Sequence, residues 1–428
     1  MKFTKMSLVA ALLIGSSAFA IENTKVSGDA KLYYATQDNG SDSLFNKDAS
    51  AADAALNLNV TTDLVKNSIV AISAGAGYTV LSTLGLENNL VSAVWGGAHG
   101  ATTGTGASYG SSLGGAKVEN ANWMNEAWIA ATVGKTTAKI GRMELDTPMV
   151  FTEKWSIEKN TFEAAVVINQ DIPGTTLVGA YVGNGNGTET FGQNAQGVVN
   201  TLGLAVAPVV NAQGKFTTYG TNGAYAVGAI NNSVKPLTVQ AWYYQLTQLA
   251  SAYWLQADLN MDGILAGAQY SSDKVLNGST KSDSVYALML GYEMKDVATV
   301  KVAYSSVNKG GDLGYAGFNT ATNMTTAQSK LYTEAWWNYG RVTKSDTDSY
   351  AISVDGKVVG VDLTAQYTNA NDKSVANNDM SEIALTAGKS FGPLDATLVY
   401  IYSDLKTPAI ATDDETTNMI QAYLTLNF

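Results

Sequence analysis

The sequence predicts an all-β fold: a transmembrane antiparallel β-barrel of 18 strands, with long outer loops and short periplasmic turns. Three observations carry this. Short segments alternate polar and apolar residues with period two. The connections between them run short, then long, then short again. No stretch holds the ~18 consecutive apolar residues of a spanning helix. Lipid offers no partner for an unpaired backbone group, so strands that cross it must close into a barrel.

The first strand, Lys25–Thr36, sets Val26, Leu32 and Tyr34 on one face and Asp29, Lys31 and Tyr33 on the other. Ala54–Thr62 repeats the pattern, with Leu56 and Leu58 against Asn57 and Asn59, and Ser68–Val80 follows a turn at Leu64–Asn67. Glu126–Val133 and Lys135–Met143 come next, then Thr161–Ile168 and Thr175–Val182. Gly223–Ile230 and Leu237–Leu246 flank a turn ending in Pro236. Ala252–Leu259 and Ile264–Ser271 flank Asn260–Gly263. Ser284–Tyr292 and Thr299–Ser306 flank Glu293–Ala298. Ser349–Val354 and Val358–Thr368 flank Asp355-Gly356-Lys357, Ser381–Lys389 and Asp395–Ser403 flank Phe391-Gly392-Pro393, and Thr417–Phe428 ends the chain. The longest connections are Ser82–Asn125, Gly183–Asn222 and Val307–Asp348. A solenoid would need a fixed period. A sandwich would need apolar residues on the faces that here carry Asn, Thr, Gln and Lys, which suit a water-filled lumen.

The chain opens with Lys2 and Lys5, a nine-residue apolar core from Met6 to Ile14, and Ala18-Phe19-Ala20. That is a secretory signal peptide over residues 1–20, with the barrel in 21–428. Its removal takes the net charge from −11 to −13 by loss of two lysines. So acidic a chain has no electrostatic footprint for nucleic acid. With no cysteine, disulfides and thiolate metal sites are excluded. The last strand puts Ile420, Ala422, Leu424, Leu426 and Phe428 on one face. A terminal Phe on such a strand looks like the signal read by the outer-membrane barrel assembly machinery, against the plainer reading of an edge strand.

Several motifs carry less than they promise. Asp258-x-Asn260-x-Asp262-Gly263 matches the start of a Ca²⁺ loop, but its twelfth position is Gln269 and both flanks are strands, so a hairpin turn is expected. His99, the one histidine, sits in a Gly-rich loop with no G-x-S-x-G elbow elsewhere, which argues against hydrolysis. One His and no Cys leave no zinc site. Aromatics near strand ends, among them Tyr34, Tyr181, Tyr243, Tyr253, Tyr292, Tyr304, Tyr367, Tyr400 and Tyr402, fit interfacial girdles. Tyr33, Trp128, Trp242, Tyr244 and Trp254 point inward by parity and could form an aromatic slide for solutes. Leu331, Tyr332, Ala335 and Trp336 lie at helical spacing and are expected in a short helix over the barrel mouth.

One stretch stands apart. Gly141–Asn160 does not alternate and carries Arg142, Glu144, Asp146, Glu153, Lys154, Glu158 and Lys159, in a chain only 15% charged. By the rhythm of connections it is the third outer loop. Pro148, Val150, Phe151, Trp155 and Ile157 give it too much apolar surface for a free loop. Arg142 falls on the lipid-facing parity of Ile140, so the strand should bend or end there. A loop folded inward along the wall answers both points, whereas the bland alternative is a solvated external loop. As a pore constriction it would set Glu144, Asp146, Glu153 and Glu158 against the lumen bases Lys31, Lys139 and Lys301, with Arg142, Lys154 and Glu163 completing the set. Asp146 with Glu144 could hold Ca²⁺ through oxygen ligands; no cofactor is otherwise required.

Gly141-Arg142, Leu145-Asp146-Thr147-Pro148, Trp155-Ser156-Ile157 and Asn160-Thr161-Phe162-Glu163 together resemble the loop-three region of the Campylobacter-type major outer-membrane porins. Pro236-Leu237, Gln240–Tyr244 and Trp254–Asp258 are similar to that family's middle strands, and Lys330–Gly340 to a loop-seven motif. A more distant likeness to the substrate-specific porins of pseudomonads covers the same Gly-Arg and Phe-Glu region. The resemblance implies an 18-stranded homotrimeric porin of the bacterial outer membrane that passes ions and small hydrophilic solutes, with cations preferred. Loop two, Ser82–Asn125, is the segment expected to reach a neighbouring protomer. A substrate-specific channel, and a surface adhesin with an incidental pore, stay open as alternatives. No reaction is expected.

Overall fold

The computed structural model describes residues 22–38, 43–82, 93–94, 121–154, 157–187, 214–220, 222–276, 280–322, 324–374, 378–406 and 415–428. Residues 1–21, His99, Trp155 and nearly all of loop two lie outside them.

The wall is built in chain order from β1 (Glu22–Asp38), β2 (Ser50–Lys66), β3 (Ala71–Ser82), β4 (Ala121–Val133), β5 (Thr136–Met143) and β6 (Phe162–Asn169). Then come β7 (Thr175–Gly185), β8 (Ala224–Asn231), β9 (Leu237–Leu246), β10 (Ala250–Met261), β11 (Ile264–Val275) and β12 (Asp283–Met294). It ends with β13 (Ala298–Val307), β14 (Thr347–Val358), β15 (Val361–Asp372), β16 (Met380–Phe391), β17 (Leu394–Leu405) and β18 (Glu415–Asn427). Each pairs antiparallel with the next. β18 returns to β1 in a register running from Asp29↔Asn427 to Asp38↔Asn418, which closes an 18-stranded barrel. Two-residue pairings at Ala93–Val94 and Thr217–Thr218 add to β2 and β7 at the loop rim. Among the described residues the one helical element is the 3-10 turn Lys47–Ala49.

Phe428 closes the seam. Its backbone exchanges hydrogen bonds with Gly28 (2.8 and 3.0 Å), and its ring lies where a side chain at residue 28 would stand. The period-two expectation holds along the wall. Leu56, Leu58, Ile129, Ile140 and Leu290 are exposed on the outside, while Tyr33, Asn57 and Trp254 are buried inside. Outward tyrosines in the loop-side half form a belt, with neighbours such as Tyr181–Tyr225 and Tyr304–Tyr350 at 5.1 Å between ring centres.

Turn positions shift by a few residues. The first turn is Asn67–Val70, because Asn67 Oδ1 accepts from the amides of Ile69 and Val70 (both 2.9 Å) and fixes the corner there. The turn expected at Asp355–Lys357 is strand, since Lys357 and Asp362 pair across the ladder, and the reversal falls at Val359-Gly360. Asp262-Gly263, both at positive φ, makes the hairpin in place of a Ca²⁺ loop. No helix forms at Leu331–Trp336. Leu331 and Ala335 are buried, but Glu334 and Glu382 capture the amides that a helix would need.

Candidate functional site

Loop 3 (residues 144–161) turns inward at once. Met143 pairs with Phe162 at the strand ends, and both side chains are buried inside the barrel. Leu145 to Thr152 then makes a small hairpin. Thr152 N donates to Leu145 O (2.8 Å), and Thr147 Oγ1 donates to Val150 O (2.8 Å). Its apolar tip, Met149 and Val150, sits on a seat of small inward residues, among them Ala180, Ala224, Ala226 and Ala252, bordered by Tyr244. The void left there is only about 30 Å³, so the tip is closely packed. The far end of the loop docks on the other side of β5 and β6, where Ile157 packs with Tyr33, Leu81 and Trp123 of β1, β3 and β4. Loop 3 is therefore held on the wall to both sides of its own strands.

Loop 7 (residues 308–346) also lies inside, and the sequence reading missed this. Its backbone is gripped by carboxylates. Asp273 accepts from Gly317 N (2.8 Å), and Asp283 accepts from Leu313 N and Gly314 N (2.8 and 3.0 Å). Glu382 takes three successive amides, Trp336 N, Trp337 N and Asn338 N, at 2.7–3.0 Å. Tyr332 Oη donates to Asp258 (2.5 Å), which is possible because Gly267 leaves room for its ring. The local signal was present: Asp258, Asp273, Asp283 and Glu382 all sit on inward strand parity.

The two loops clasp each other. Thr320 N donates to Met149 O (2.9 Å), Asn319 bonds both backbone groups of Phe151, and Lys330 pairs with Asp146 at 2.5 Å. Glu153 is the centre of the clasp. It is buried, and it accepts from Asn319 Nδ2 (2.9 Å), Thr322 Oγ1 (2.8 Å) and Gln328 N (3.2 Å).

Between the loops and the wall lies an open cavity of about 890 Å³. Loop 3 contributes Glu144, Asp146, Thr152 and Lys154; loop 7 contributes Glu334, Trp336 and Tyr339; Gln366 comes from β15. Glu144 is bridged by Lys154 and Lys159, and Lys159 also reaches Glu126 at 2.7 Å. Burial alone would raise Glu144, but the pull of Lys159 and Lys154 holds it below the usual carboxylate value. Lys159, against its own burial, is raised by Glu126 and Glu144. Glu334 differs. Enclosure pushes it up to about 8, although Ser329 N and Ala335 N donate to it.

Of the predicted constriction set, Glu144, Asp146 and Lys154 line the cavity. Lys139 lies over the Trp128 ring (4.0 Å) within electrostatic reach of Glu144, and Lys31 reaches Ile157 O at 3.5 Å. The other residues of that set stand elsewhere. Arg142 and Glu163 keep the outward parity and pair there at 2.9 Å, with Arg142 also bonding Met124 O (3.0 Å) and lying 4.2 Å from the Phe216 ring. That pairing lets the strand run past Arg142 to Met143 without leaving the charge bare. Glu153 and Glu158 are buried in loop packing and do not face a passage. Lys301 lies in the turn-side half of β13, paired with Asp355 at 3.9 Å. The donor set does not fit Ca²⁺ at Glu144 and Asp146, because lysine ammoniums already occupy both carboxylates. No group of three or more metal-ligating side chains exists among the described residues. Nor do Trp242, Tyr244 and Trp254 form an open slide, since they are buried beneath the loops.

This is a closed, 18-stranded β-barrel whose interior is narrowed by two inward loops. No family model matches the sequence, and no curated protein sequence does. Solved structures do match. The outer membrane protein OpdK of Pseudomonas aeruginosa aligns with a TM-score of 0.67 at 12% identity, over 96% of this chain and 99% of that one. OccAB3 of Acinetobacter baumannii gives 0.68 at 12%, over 95% and 99%. OccK11 (OpdR) of P. aeruginosa gives 0.64 at 11%, over 96% and 97%. The chain shares their fold along nearly its whole length.

Proposed function

We propose that this chain is a porin of the bacterial outer membrane, through which ions and small hydrophilic solutes diffuse passively, with cations preferred. The observation that carries it is the cavity between loops 3 and 7, inside a closed wall whose outer face is apolar and belted with tyrosine. Lipid on the outside and water within is the environment such a wall requires. Support for cations comes from the carboxylates of Glu144 and Asp146, which line the cavity, with Asp146 largely exposed. The sites are passage-lining and electrostatic, and no catalytic step is assigned. Kinship with the Campylobacter-type porins rests on the motifs of residues 141–163, 236–258 and 330–340. Homotrimer formation and recognition by the barrel assembly machinery through Phe428 belong to the same reading.

The test is a planar-bilayer measurement in a salt gradient. A reversal potential of cationic sign is expected, and a marked anionic one would overturn the selectivity while leaving the pore. A second reading, a channel specific for particular solutes, is favoured by the fold of OpdK, solved in one structure with vanillate. Saturable block of the current by a solute would select it.

A further inference from the structure

The two rims of the barrel treat their surroundings differently. The loop-side half carries the tyrosine belt. At the turn side, Tyr292 is the one outward tyrosine among the described residues. In its place, aliphatic side chains stand at the turn tips. Ile69, Ile172, Val234 and Val297 are all exposed, and Val359 is exposed to 90% of its surface. They belong to five of the eight short turns, and Phe391 flanks a sixth. Turn chemistry does not call for them, since such corners favour Asn, Asp and Gly. Val359 has φ of 50°, a conformation that branching at Cβ resists. A β-branched apolar residue there is unfavourable both in backbone and in water.

Two further features say what covers these tips. Two of them adjoin the apolar band of the outer wall, as Val358 beside Val359 and Met294 near Val297 are themselves exposed. Lysines also stand beside them. Lys66, Lys135, Lys235 and Lys295 are exposed at this rim, and among the described residues none of them has an ion-pair partner. Exposed acids are interspersed with them, at Asp262, Glu293 and Asp296. Both signs of charge next to aliphatic tips match a zwitterionic headgroup layer, with its phosphates and ammoniums above acyl chains.

We infer that the turn rim is a lipid-anchoring ring: the aliphatic tips enter the headgroup–acyl boundary of a phospholipid leaflet, and the flanking lysines hold its phosphates. The occupant is lipid because the ring is continuous with the lipid-facing band and follows the rim, where a protein partner would ask for a localised patch. This rests on the membrane reading above.

The chain has no cysteine, so a single introduced one labels uniquely. Val359→Cys, Val297→Cys and, as a mid-band reference, Leu290→Cys would each carry a fluorophore in the full barrel, reconstituted in phosphatidylethanolamine–phosphatidylglycerol vesicles. Quenching by lipid nitroxides is compared with quenching by aqueous iodide. Both tip labels should lose most of their fluorescence to a nitroxide placed ~5–10 Å below the headgroup surface, and little to iodide. If Leu290→Cys is quenched by lipid while the tips answer to iodide alone, the ring is refuted and the membrane barrel stands. Tips shielded from both quenchers would indicate protein cover and also refute it. If Leu290→Cys itself escapes the lipid nitroxides, the membrane reading fails first.

Discussion

Loops 3 and 7 meet in the same interior, yet they are held there by opposite means. Loop 3 carries its own anchors. Met149, Val150 and Ile157 fill seats on the wall, and its acid Glu144 is neutralised largely from within the loop by Lys154 and Lys159. Loop 7 is held from outside itself. Carboxylates of β11, β12 and β16 seize its backbone amides. The difference teaches where to look for a loop's fate. A loop with apolar weight and internal ion pairs announces its fold in its own composition, whereas one held by backbone amides leaves its signature on distant strands.

The sharpest way to break this comparison is to remove the loop 7 grip alone. Glu382→Ala strips the acceptor from three half-buried amides and from Asn338 Nδ2. It should cost roughly 3 kcal/mol in denaturant unfolding, because charged hydrogen bonds are lost and donors are left unpaired. Single-channel current should become noisier as loop 7 loosens. A quiet, unchanged channel would mean that loop 7 needs no wall carboxylate.

Glu153→Ala acts on the clasp between the loops and should cost less, roughly 2 kcal/mol, since Asn319 keeps its bonds to Phe151. Conductance should rise while cation preference changes little. If conductance stays constant, the clasp does not set the passage width.

The loops should also respond to pH in opposite senses. Glu144 is lowered in the folded state, so its contribution is present above 4.5 and lost as pH falls through its lowered value. Lys159 is raised, so its share is fully present below 10.5 and is lost as pH rises through its folded value. Glu334 is raised to about 8, so the stability it contributes is present below 4.5 and lost as pH rises towards 8. Acid below 4.5 should therefore loosen loop 3, whereas loop 7 should loosen as pH climbs from 4.5 towards 8. Conductance noise recorded across that range would show two separate onsets. A single onset shared by Glu144→Gln and Glu334→Gln variants would merge the two loops into one unit.

Lys154→Ala should have the smallest effect. Its ammonium is mostly exposed, Lys159 still pairs with Glu144, and exposed pairs contribute ~0–1 kcal/mol. Stability should be unchanged within error, with the reversal potential moving modestly towards cations. No movement would place Lys154 outside the ion path.

Much of this was legible in single strands. Period two located Trp254 and Tyr33 inside and Leu56 and Leu58 outside, and the rhythm of connections numbered loop 3 correctly. Arg142 shows the limit. Its outward parity was readable, but not that Glu163 and Phe216 would meet it there, because those residues are adjacent only through β5–β6 pairing and the return of a distant segment. Helical spacing at Leu331–Trp336 misled for the same reason: Glu382, some 45 residues on, claims the amides.

By itself the sequence determined the wall: strand number, closure, the apolar outer face and the inward turn of loop 3. Alternation and loop composition are local quantities, and lipid leaves the backbone no other solution. Only the tertiary structure decided which carboxylates line the cavity and which are consumed in holding the loops. That depends on register across strands far apart in sequence, where one residue of slip exchanges lumen for lipid. Glu153 and Glu144 are alike in the sequence. The fold makes one a rivet between loops and leaves the other at the edge of the cavity.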